Sequence, residues 1–184
     1  MSTPVILVFR LRFPIEEVPM WAAAYPAVDD AEVEAIGTTA RMRGRYTRDE
    51  FLAVARWKTP RAESRCAANS ESLVEEATAT ALRASDERLR IGILTLLQGV
   101  EAPTASALLH LAHHDPYPIV DARALWSLGL EAPPASWPPE SWIAYTHACR
   151  SLARQAGVSM RALDRALWQY ATAHRQRAHR YTRG

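Results

Sequence analysis

Apolar residues recur at helical spacing on both sides of Gly99, and each set covers one face of a helix. The two sets are Leu89, Ile93, Leu96 and Leu97 before the glycine, and Ala105, Leu108, Leu109 and Ala112 after it. Glycine enters a tight backward turn without steric cost. Pro103 suits the first turn of the second helix, where its missing N–H is not needed. The pattern therefore predicts a helix, a hairpin turn and a second helix.

Helical periodicity with recognisable start and stop residues covers most of the remaining chain. Thr47 and Glu50 form a capping box, and Tyr46 with Phe51 supplies a hydrophobic staple at the same start. Further helices are predicted over residues 14–24, 29–43, 62–68, 71–84 (capped by Ser70), 86–97 (capped by Ser85), 122–128 and 140–156, with a last helix from Val158-Ser159. Residues 5–13 are expected to be extended, because a single strand has no partner in a helical chain. The predicted fold class is all-α, a compact multi-helix bundle around the helix-hairpin-helix.

Arginine supplies nearly all of the positive charge. The chain has 22 basic and 20 acidic residues, a formal net charge of +2, and Lys58 is its only lysine. Arginine favours bidentate contact with phosphate, although high-GC codon usage produces the same bias. Residues 173–184 hold four arginines, Arg175 and Arg177 among them, with two histidines and no acid. Such a tail either follows a nucleic-acid backbone or is a solvated terminus.

Several classes of protein and of site are disfavoured by the sequence. No apolar run approaches the roughly 18 residues of a membrane span and no signal peptide is recognised, so we expect a cytoplasmic protein without membrane contact. Cys66 and Cys149 lack the spacing of metal ligands, and the pair His110 and His114 lacks a third ligand, so no metal is predicted. A phosphate-binding glycine loop and a nucleophile elbow are both absent from the sequence, and no cofactor is expected.

Residues 97–105 read LQGVEAPTA and resemble the hairpin of the helix-hairpin-helix DNA glycosylases, whose pattern is roughly Leu-Pro-Gly-Val-Gly-x-x-Thr-Ala. That family continues with an apolar helix, a short loop and a Val-Asp pair that opens the next helix. Here the corresponding loop ends in Val120-Asp121. The two motifs together cover residues 89–128. The chain therefore resembles a divergent, short member of this superfamily.

The resemblance implies a catalytic role for Asp121, which would assist the loss of a base flipped out of duplex DNA. Its carboxylate would stabilise the positive charge that develops on the sugar, or activate the attacking group. Aspartate is also a preferred helix N-cap, and that role is compatible with catalysis. Pro103 stands where lyase-competent members carry a nucleophilic lysine. Any activity is therefore expected to be that of a monofunctional enzyme.

The same resemblance implies that the hairpin and an earlier loop bind DNA. A hairpin between two helices exposes backbone N–H groups that suit a phosphate, and such a contact fixes register without reading sequence. Glu101 stands where the family has its second hairpin glycine, and Trp57 is either a core residue or a stacking surface. The predicted DNA-binding residues are Gly99, Val100, Glu101, Thr104, Lys58, Arg61, Arg123, Arg175 and Arg177.

Three regions and two functions are expected. Residues 1–45 form an N-terminal extension packed on the core, residues 46–172 the helix-hairpin-helix glycosylase-like domain, and residues 173–184 a basic C-terminal tail. The first function is a DNA-binding protein of the base-excision-repair type, a hydrolase acting as a monofunctional DNA N-glycosylase through Asp121. The alternative is a non-catalytic module that binds DNA or a protein and has lost base excision. Double-stranded DNA, contacted through its backbone, is the expected partner.

Overall fold

The computed structural model describes residues 7–26, 30–113, 117–131 and 137–181, with side chains up to His174. Within these ranges the chain forms α-helices, two short 3₁₀ turns and no β-strand, which confirms the predicted all-α class. The helices are α1 (Val18–Ala23), α2 (Asp30–Arg43), α3 (Arg48–Lys58), α4 (Glu63–Cys66), α5 (Glu71–Arg83), α6 (Glu87–Leu94), α7 (Ala102–His113), α8 (Ala122–Ser127), α9 (Pro139–Ala156) and α10 (Met160–Tyr181). None of these helices, over the described residues, combines the length and apolar character needed to cross a membrane.

Helix α7, the second helix of the hairpin unit, lies at the centre of the bundle. Every residue from Thr104 to Ala112 is buried, and the helix packs against α2, α3 and α6. Gly37 of α2 faces the backbone of Leu111, so closely that a Cβ atom at this position would collide with the Leu111 carbonyl. The crossing of α2 and α7 therefore requires glycine. This arrangement confirms a bundle built around the hairpin unit.

Local capping explains where several helices begin. The Thr47 hydroxyl accepts a hydrogen bond from the Glu50 N–H (3.3 Å), and the Glu50 carboxylate accepts one from the Thr47 N–H (2.9 Å). Tyr46 and Phe51, the predicted staple, are both fully buried beside this start. Ser70 caps α5 by accepting a hydrogen bond from the Leu73 N–H at 3.3 Å. These starts were predicted correctly because each one depends on residues close together in the sequence.

Helix α6 differs from its prediction at both ends. Asp86, rather than Ser85, caps it by accepting hydrogen bonds from the N–H groups of Arg88 and Leu89. The helix ends at Leu94, and the chain continues in tighter turns that bond residues three apart. A turn of three residues shifts the helical phase. Leu97 consequently lies in the core, whereas Leu96 is 79% exposed. Leu89, in the regular part of the helix, is 49% exposed, so the predicted places of both leucines on the apolar face are wrong.

The N-terminal residues pack on the rest of the bundle. The N–H groups of Arg10 and Arg12 donate to the carbonyls of Leu128 and Ser127, each at 2.9 Å. These carbonyls lie at the end of α8, where an α-helix leaves its last carbonyls without an internal partner. Further along, α1 packs against α10 and α2 packs against α7. The expected division at residue 45 stays a prediction.

Candidate functional site

The hairpin between α6 and α7 turns at Gly99, as predicted. Gly99 has φ +78°, in the left-handed region, and the Val100 N–H closes the turn onto the Leu97 carbonyl at 3.1 Å. A Cβ atom on Gly99 would lie 2.8 Å from the backbone nitrogen of Cys66, at the end of α4. Glycine is therefore required twice, once for the backbone conformation and once for the close approach of α4.

Asn69, in the segment that follows α4, holds the hairpin in place through hydrogen bonds. Its amide nitrogen donates to the carbonyls of Gln98 and Cys66, and its amide oxygen accepts from the Gln98 N–H, each at 2.9 Å. The residue is 2% exposed, and these bonds satisfy a polar group that would otherwise be costly to bury. Sequence reasoning missed Asn69, because an asparagine just before the Ser70 cap is typical of a loop.

A cleft of about 940 Å³ separates the hairpin from the corner that follows α3. The corner consists of Thr59 and the 3₁₀ turn Pro60–Ala62. Most residues predicted to bind DNA, together with the predicted catalytic residue, line this cleft: Lys58, Arg61, Gly99, Val100, Glu101, Thr104 and Asp121. Residues far apart in the sequence thus meet at one surface.

These residues occupy different depths in the cleft. Glu101 lies at the rim with its side chain 76% exposed, 4.0 Å from the guanidinium of Arg65, and Arg61 is also exposed. Thr104 is 1% exposed, and its hydroxyl shares a hydrogen bond of 3.0 Å with that of Thr59. Val100 is buried as well. The side chains of Val100 and Thr104 therefore shape the wall, while the charges of Arg61 and Glu101 stand at the rim.

Asp121 and Lys58 form a recessed ion pair in the cleft. The Lys58 Nζ donates to Oδ2 of Asp121 at 2.9 Å, and the two side chains are only 11% and 22% exposed. The other carboxylate oxygen accepts the Arg123 N–H at 2.8 Å, so Asp121 caps α8 as predicted. Burial alone would raise the pKa of Asp121, but the Lys58 ammonium and these hydrogen bonds lower it below its ordinary value. The carboxylate is therefore ionised at neutral pH.

Buried side chains fix the backbone of residues 117–121 that carries Asp121. Nδ1 of His110 forms a hydrogen bond with the Tyr117 carbonyl (2.7 Å), and the Tyr145 hydroxyl donates one to the Ile119 carbonyl (2.9 Å). The Ser106 hydroxyl oxygen accepts a hydrogen bond from the Val120 N–H (2.9 Å). Each of the three residues is at most 3% exposed. The carboxylate is thus held on a rigid support, which is what a preorganised charge requires.

A second pocket, of about 240 Å³, shares Lys58 and Asp121 with the cleft. Its other lining residues include three aromatic side chains and three charged ones: Tyr25, Trp57, Trp168, Arg123, Arg161 and Asp164. Burial raises the pKa of Asp164, against the opposing charges of His110, Arg161 and Lys58. Arg161 donates to its carboxylate at 2.9 Å. Asp164 is the second carboxylate of this pocket and is more readily protonated than Asp121.

Sequence reasoning did not find the contributions of α10 to the pocket. Asp164 lies between Leu163 and Leu167 on the last predicted helix and was not among the predicted site residues. The only sign of Asp164 in the sequence is that a charged residue lies next to the apolar face of a helix. Trp57 is half-buried and lines the pocket, which is consistent with both roles considered for it.

The remaining predicted residues lie away from the cleft or outside the described side chains. Arg123 is exposed, and its guanidinium carbon lies 4.7 Å from the ring centre of Trp168, at the edge of the smaller pocket. Arg175 and Arg177 fall in the part of α10 whose side chains are outside the described residues, and His114 itself lies outside the described residues. Among the described residues, no group of three His, Cys, Asp or Glu side chains is arranged to hold a metal ion.

The chemistry available to the site follows from its charges. An ionised carboxylate, fixed by its backbone and paired with an ammonium, can stabilise a cation that develops next to it. Arg61 and Arg65 are exposed in the lining of the cleft and can pair with an anionic ligand. Comparison with known proteins gives no further guidance, since no family model, no curated protein and no solved structure matches this chain.

Proposed function

We propose that the cleft binds duplex DNA and that Asp121 assists the removal of a base flipped out of the duplex. The observation that carries the proposal is the position of Asp121. Its ionised carboxylate is recessed in the same cleft that the hairpin and the corner after α3 line. One surface would therefore contact the DNA backbone and also place a charge next to the sugar.

The rim of the cleft supports binding to a phosphate backbone. Arg61 and Arg65 are exposed there, and arginine pairs with phosphate through its planar fork. Contacts of this kind hold DNA in register without reading its sequence.

The smaller pocket supports the accommodation of a flipped base. Its volume of about 240 Å³ suits one ring system, and Trp57 offers an apolar face, whereas one face of Trp168 is already covered by the Arg123 guanidinium. A flipped base is held by stacking and by hydrogen bonds to its edge. Asp164, Arg161 and Arg123 supply the polar groups at this position. The pocket joins the cleft at Lys58 and Asp121, next to where the sugar of a flipped nucleotide would lie.

The charge state of Asp121 favours one catalytic role. A carboxylate with a lowered pKa does not donate a proton at neutral pH, but it stabilises a cationic sugar as the bond to the base breaks. Hydrolysis then leaves an abasic site. The hairpin itself supplies no amine, because Pro103 takes the position at which the family places its lysine.

A second candidate function is a DNA-binding module without catalysis. One observation favours it: both oxygens of Asp121 already have partners, Lys58 and the N–H of Arg123. An aspartate that only caps a helix and forms a structural ion pair would make the same two contacts. This candidate predicts DNA binding without loss of any base.

The two candidates are separated by assaying base release. The native protein is incubated with duplexes that carry deaminated, alkylated or oxidised bases. Free base is detected by mass spectrometry, and abasic sites are detected by strand breakage in alkali. We expect release from at least one class of duplex, and an affinity that falls steeply as salt rises. Binding without release from any duplex would favour the module, and absence of binding at low salt would contradict both candidates.

Removal of the charge of Glu101 is expected to tighten DNA binding. Its exposed carboxylate stands at the rim, and a unit charge 4 Å from a phosphate is worth about 1 kcal/mol in water. Glu101→Gln should therefore raise affinity about fivefold at low salt, with the gain vanishing as salt screens the charge. Fluorescence anisotropy with labelled duplex measures the effect. Glu71→Gln, an exposed residue outside the cleft, is the matched control, and an equal gain there would contradict a phosphate contact at the hairpin.

A further inference from the structure

The indole of Trp137 lines the cleft just before α9, and the proposed excision makes no use of it. The side chain is half-buried, and its ring packs in an edge-to-face arrangement with that of Tyr145, the ring centres 6.0 Å apart and the planes at 75°. Pro138 and Pro139 follow, and a proline restricts its own backbone and that of the residue before it. The indole therefore has little freedom to leave the wall of the cleft.

The residue that supports Trp137 also supports the segment that carries Asp121. The Tyr145 hydroxyl donates to the Ile119 carbonyl at 2.9 Å, two residues before the carboxylate, and the Tyr145 side chain is fully buried. One rigid side chain thus contacts both the indole and the backbone next to the carboxylate. The indole and the carboxylate are therefore fixed relative to each other.

The segment before α8 separates the cleft from the smaller pocket. Ile119 lines the pocket, Val120 lines the cleft, and Asp121 lines both. Asp121 is extended, at φ −144° and ψ 140°, and successive residues of an extended chain point to opposite sides. Trp57 belongs to the pocket and Trp137 to the cleft. Each of the two cavities that meet at Asp121 therefore has an aromatic ring of its own.

We propose that Trp137 stacks on an unpaired base of the DNA, a second base besides the one that the smaller pocket would take. The inference rests on the DNA binding of the proposed function, but it does not require excision. Val120, Ala122 and Leu125 also line the cleft, so it offers apolar surface to a base as well as charge to a phosphate.

Stacking on Trp137 makes the cleft selective for DNA whose base pairing is already broken. A base in an intact duplex is stacked between its neighbours, and unstacking costs least where the base is mismatched or already single-stranded. Every base has a π-face, so an aromatic ring of this kind does not read sequence. The partner is therefore locally unpaired DNA of any sequence.

The test compares two labelled duplexes of equal length, one fully paired and one with a central thymine–thymine mismatch. Both carry the same phosphates, so the ionic contribution largely cancels in the ratio of their affinities. We expect the native protein to prefer the mismatched duplex in fluorescence anisotropy. Trp137→Leu should weaken binding to that duplex at least about fivefold, the lower end of what loss of one base–aromatic stack produces, and should leave binding to the paired duplex largely unchanged.

The choice of replacement separates stacking from packing. Leucine keeps an apolar contact with Tyr145 but has no flat ring, whereas Trp137→Phe keeps a ring and should retain most of the preference. Equal losses on the two duplexes, or a phenylalanine variant as weak as the leucine variant, would show that Trp137 only packs, and would overturn the proposal. A native protein without any preference would overturn it as well.

Trp21→Leu is the matched control, since Trp21 is half-buried on α1 and lines neither cavity. The preference should survive in this variant, and an equal loss there would mean that a weakened fold, not a lost stack, lowers the ratio. Fluorine NMR on native protein labelled with fluorotryptophan avoids the question of folding. The Trp137 resonance, identified by its absence from Trp137→Phe, should shift with the mismatched duplex, and an unmoved resonance at saturation would overturn the proposal.

The affinity ratio does not depend on base release, so this proposal and the proposed excision can fail separately. A preference that Trp137→Leu abolishes, in a protein that releases no base, would support stacking and reject excision. Base release with a preference that survives Trp137→Leu would support excision and reject stacking. Absence of binding to either duplex at low salt would reject both.

Discussion

A Gly99→Ala variant is expected to lose roughly 2–5 kcal/mol of unfolding free energy. The first part, about 1–2 kcal/mol, comes from holding a residue with a Cβ atom in the left-handed region, at φ +78°. The second part, about 1–3 kcal/mol, comes from forcing that atom against the backbone nitrogen of Cys66, 2.8 Å away. Backbone on both sides limits how far the contact can relax. Thermal and urea unfolding followed by circular dichroism measure the loss.

Gly44→Ala provides the matched control for this experiment. Gly44 has nearly the same conformation, φ +81°, and a Cβ atom there would have no heavy atom within 4 Å. This variant should lose only the conformational part, about 1–2 kcal/mol. The difference between the two variants isolates the contact of the hairpin with α4. Equal losses would show that the hairpin can move away from Cys66, and that close packing is not what holds it.

The hairpin could be predicted from sequence because its determinants are local. The apolar spacing, Gly99 and Pro103 lie within a few residues of one another, and each favours the same turn. The hydrogen bonds from Asn69 to the hairpin could not be predicted in this way. Its partner Gln98 lies 29 positions later in the chain, and nothing in the polar residues around Asn69 distinguishes a buried amide from a solvated one.

The end of α6 shows a limit of periodicity itself. Leu96 and Leu97 both match a helical apolar face, and the two predict a helix that continues to the hairpin. After Leu94 the chain forms turns with hydrogen bonds between residues three apart, and of these two leucines only Leu97 lies in the core. A periodic pattern assumes one helical pitch throughout, so a change from about 3.6 to about 3.0 residues per turn cannot be seen in it.

The sequence predicted that Asp121 and the hairpin belong to one candidate site. It did not predict which charged side chains lie next to each other there. The resemblance placed Asp121 and the hairpin together, and the cap of α8 follows from the residue type. The pairing of Asp121 with Lys58 joins positions 63 apart, and Asp164 arrives from the last helix. These contacts depend on how the helices pack, which no local pattern contains. They decide which carboxylate is ionised and which amine lies beside it.

Asp121→Asn is expected to lower the proposed base excision by about 10²- to 10⁴-fold. A neutral amide cannot stabilise the cationic sugar, and removal of one catalytic charge or acid–base group has effects of this size. The substitution keeps the shape of the side chain, and asparagine caps a helix about as well as aspartate. DNA affinity should change little, because the rim residues are untouched. Single-turnover assays on the responsive duplex measure the rate, with binding measured in parallel.

Asp121→Asn is also expected to lower the stability of the fold. The variant removes the counter-ion of Lys58, whose side chain is 11% exposed, and a loss of roughly 1–3 kcal/mol is expected for such a charged hydrogen bond. Because folding lowers the pKa of Asp121, its contribution is complete above the ordinary value near 3.9 and is lost as pH falls through the folded value. The stability gap between native protein and variant should therefore be constant from pH 5 to 8 and close in acid.

This pH dependence separates a defect in chemistry from a defect in folding. Excision is compared near neutral pH at a temperature where melting shows both proteins to be folded, so the stability gap cannot contribute to the rate. A large fall in rate with a gap that closes in acid is the expected combination, because both effects arise from the same ionised carboxylate beside Lys58. A rate retained in the Asn form would remove Asp121 from the mechanism, even if the gap behaved as expected. A gap that persists in acid would mean that the loss of stability comes from packing, and that the ion pair contributes little to the fold.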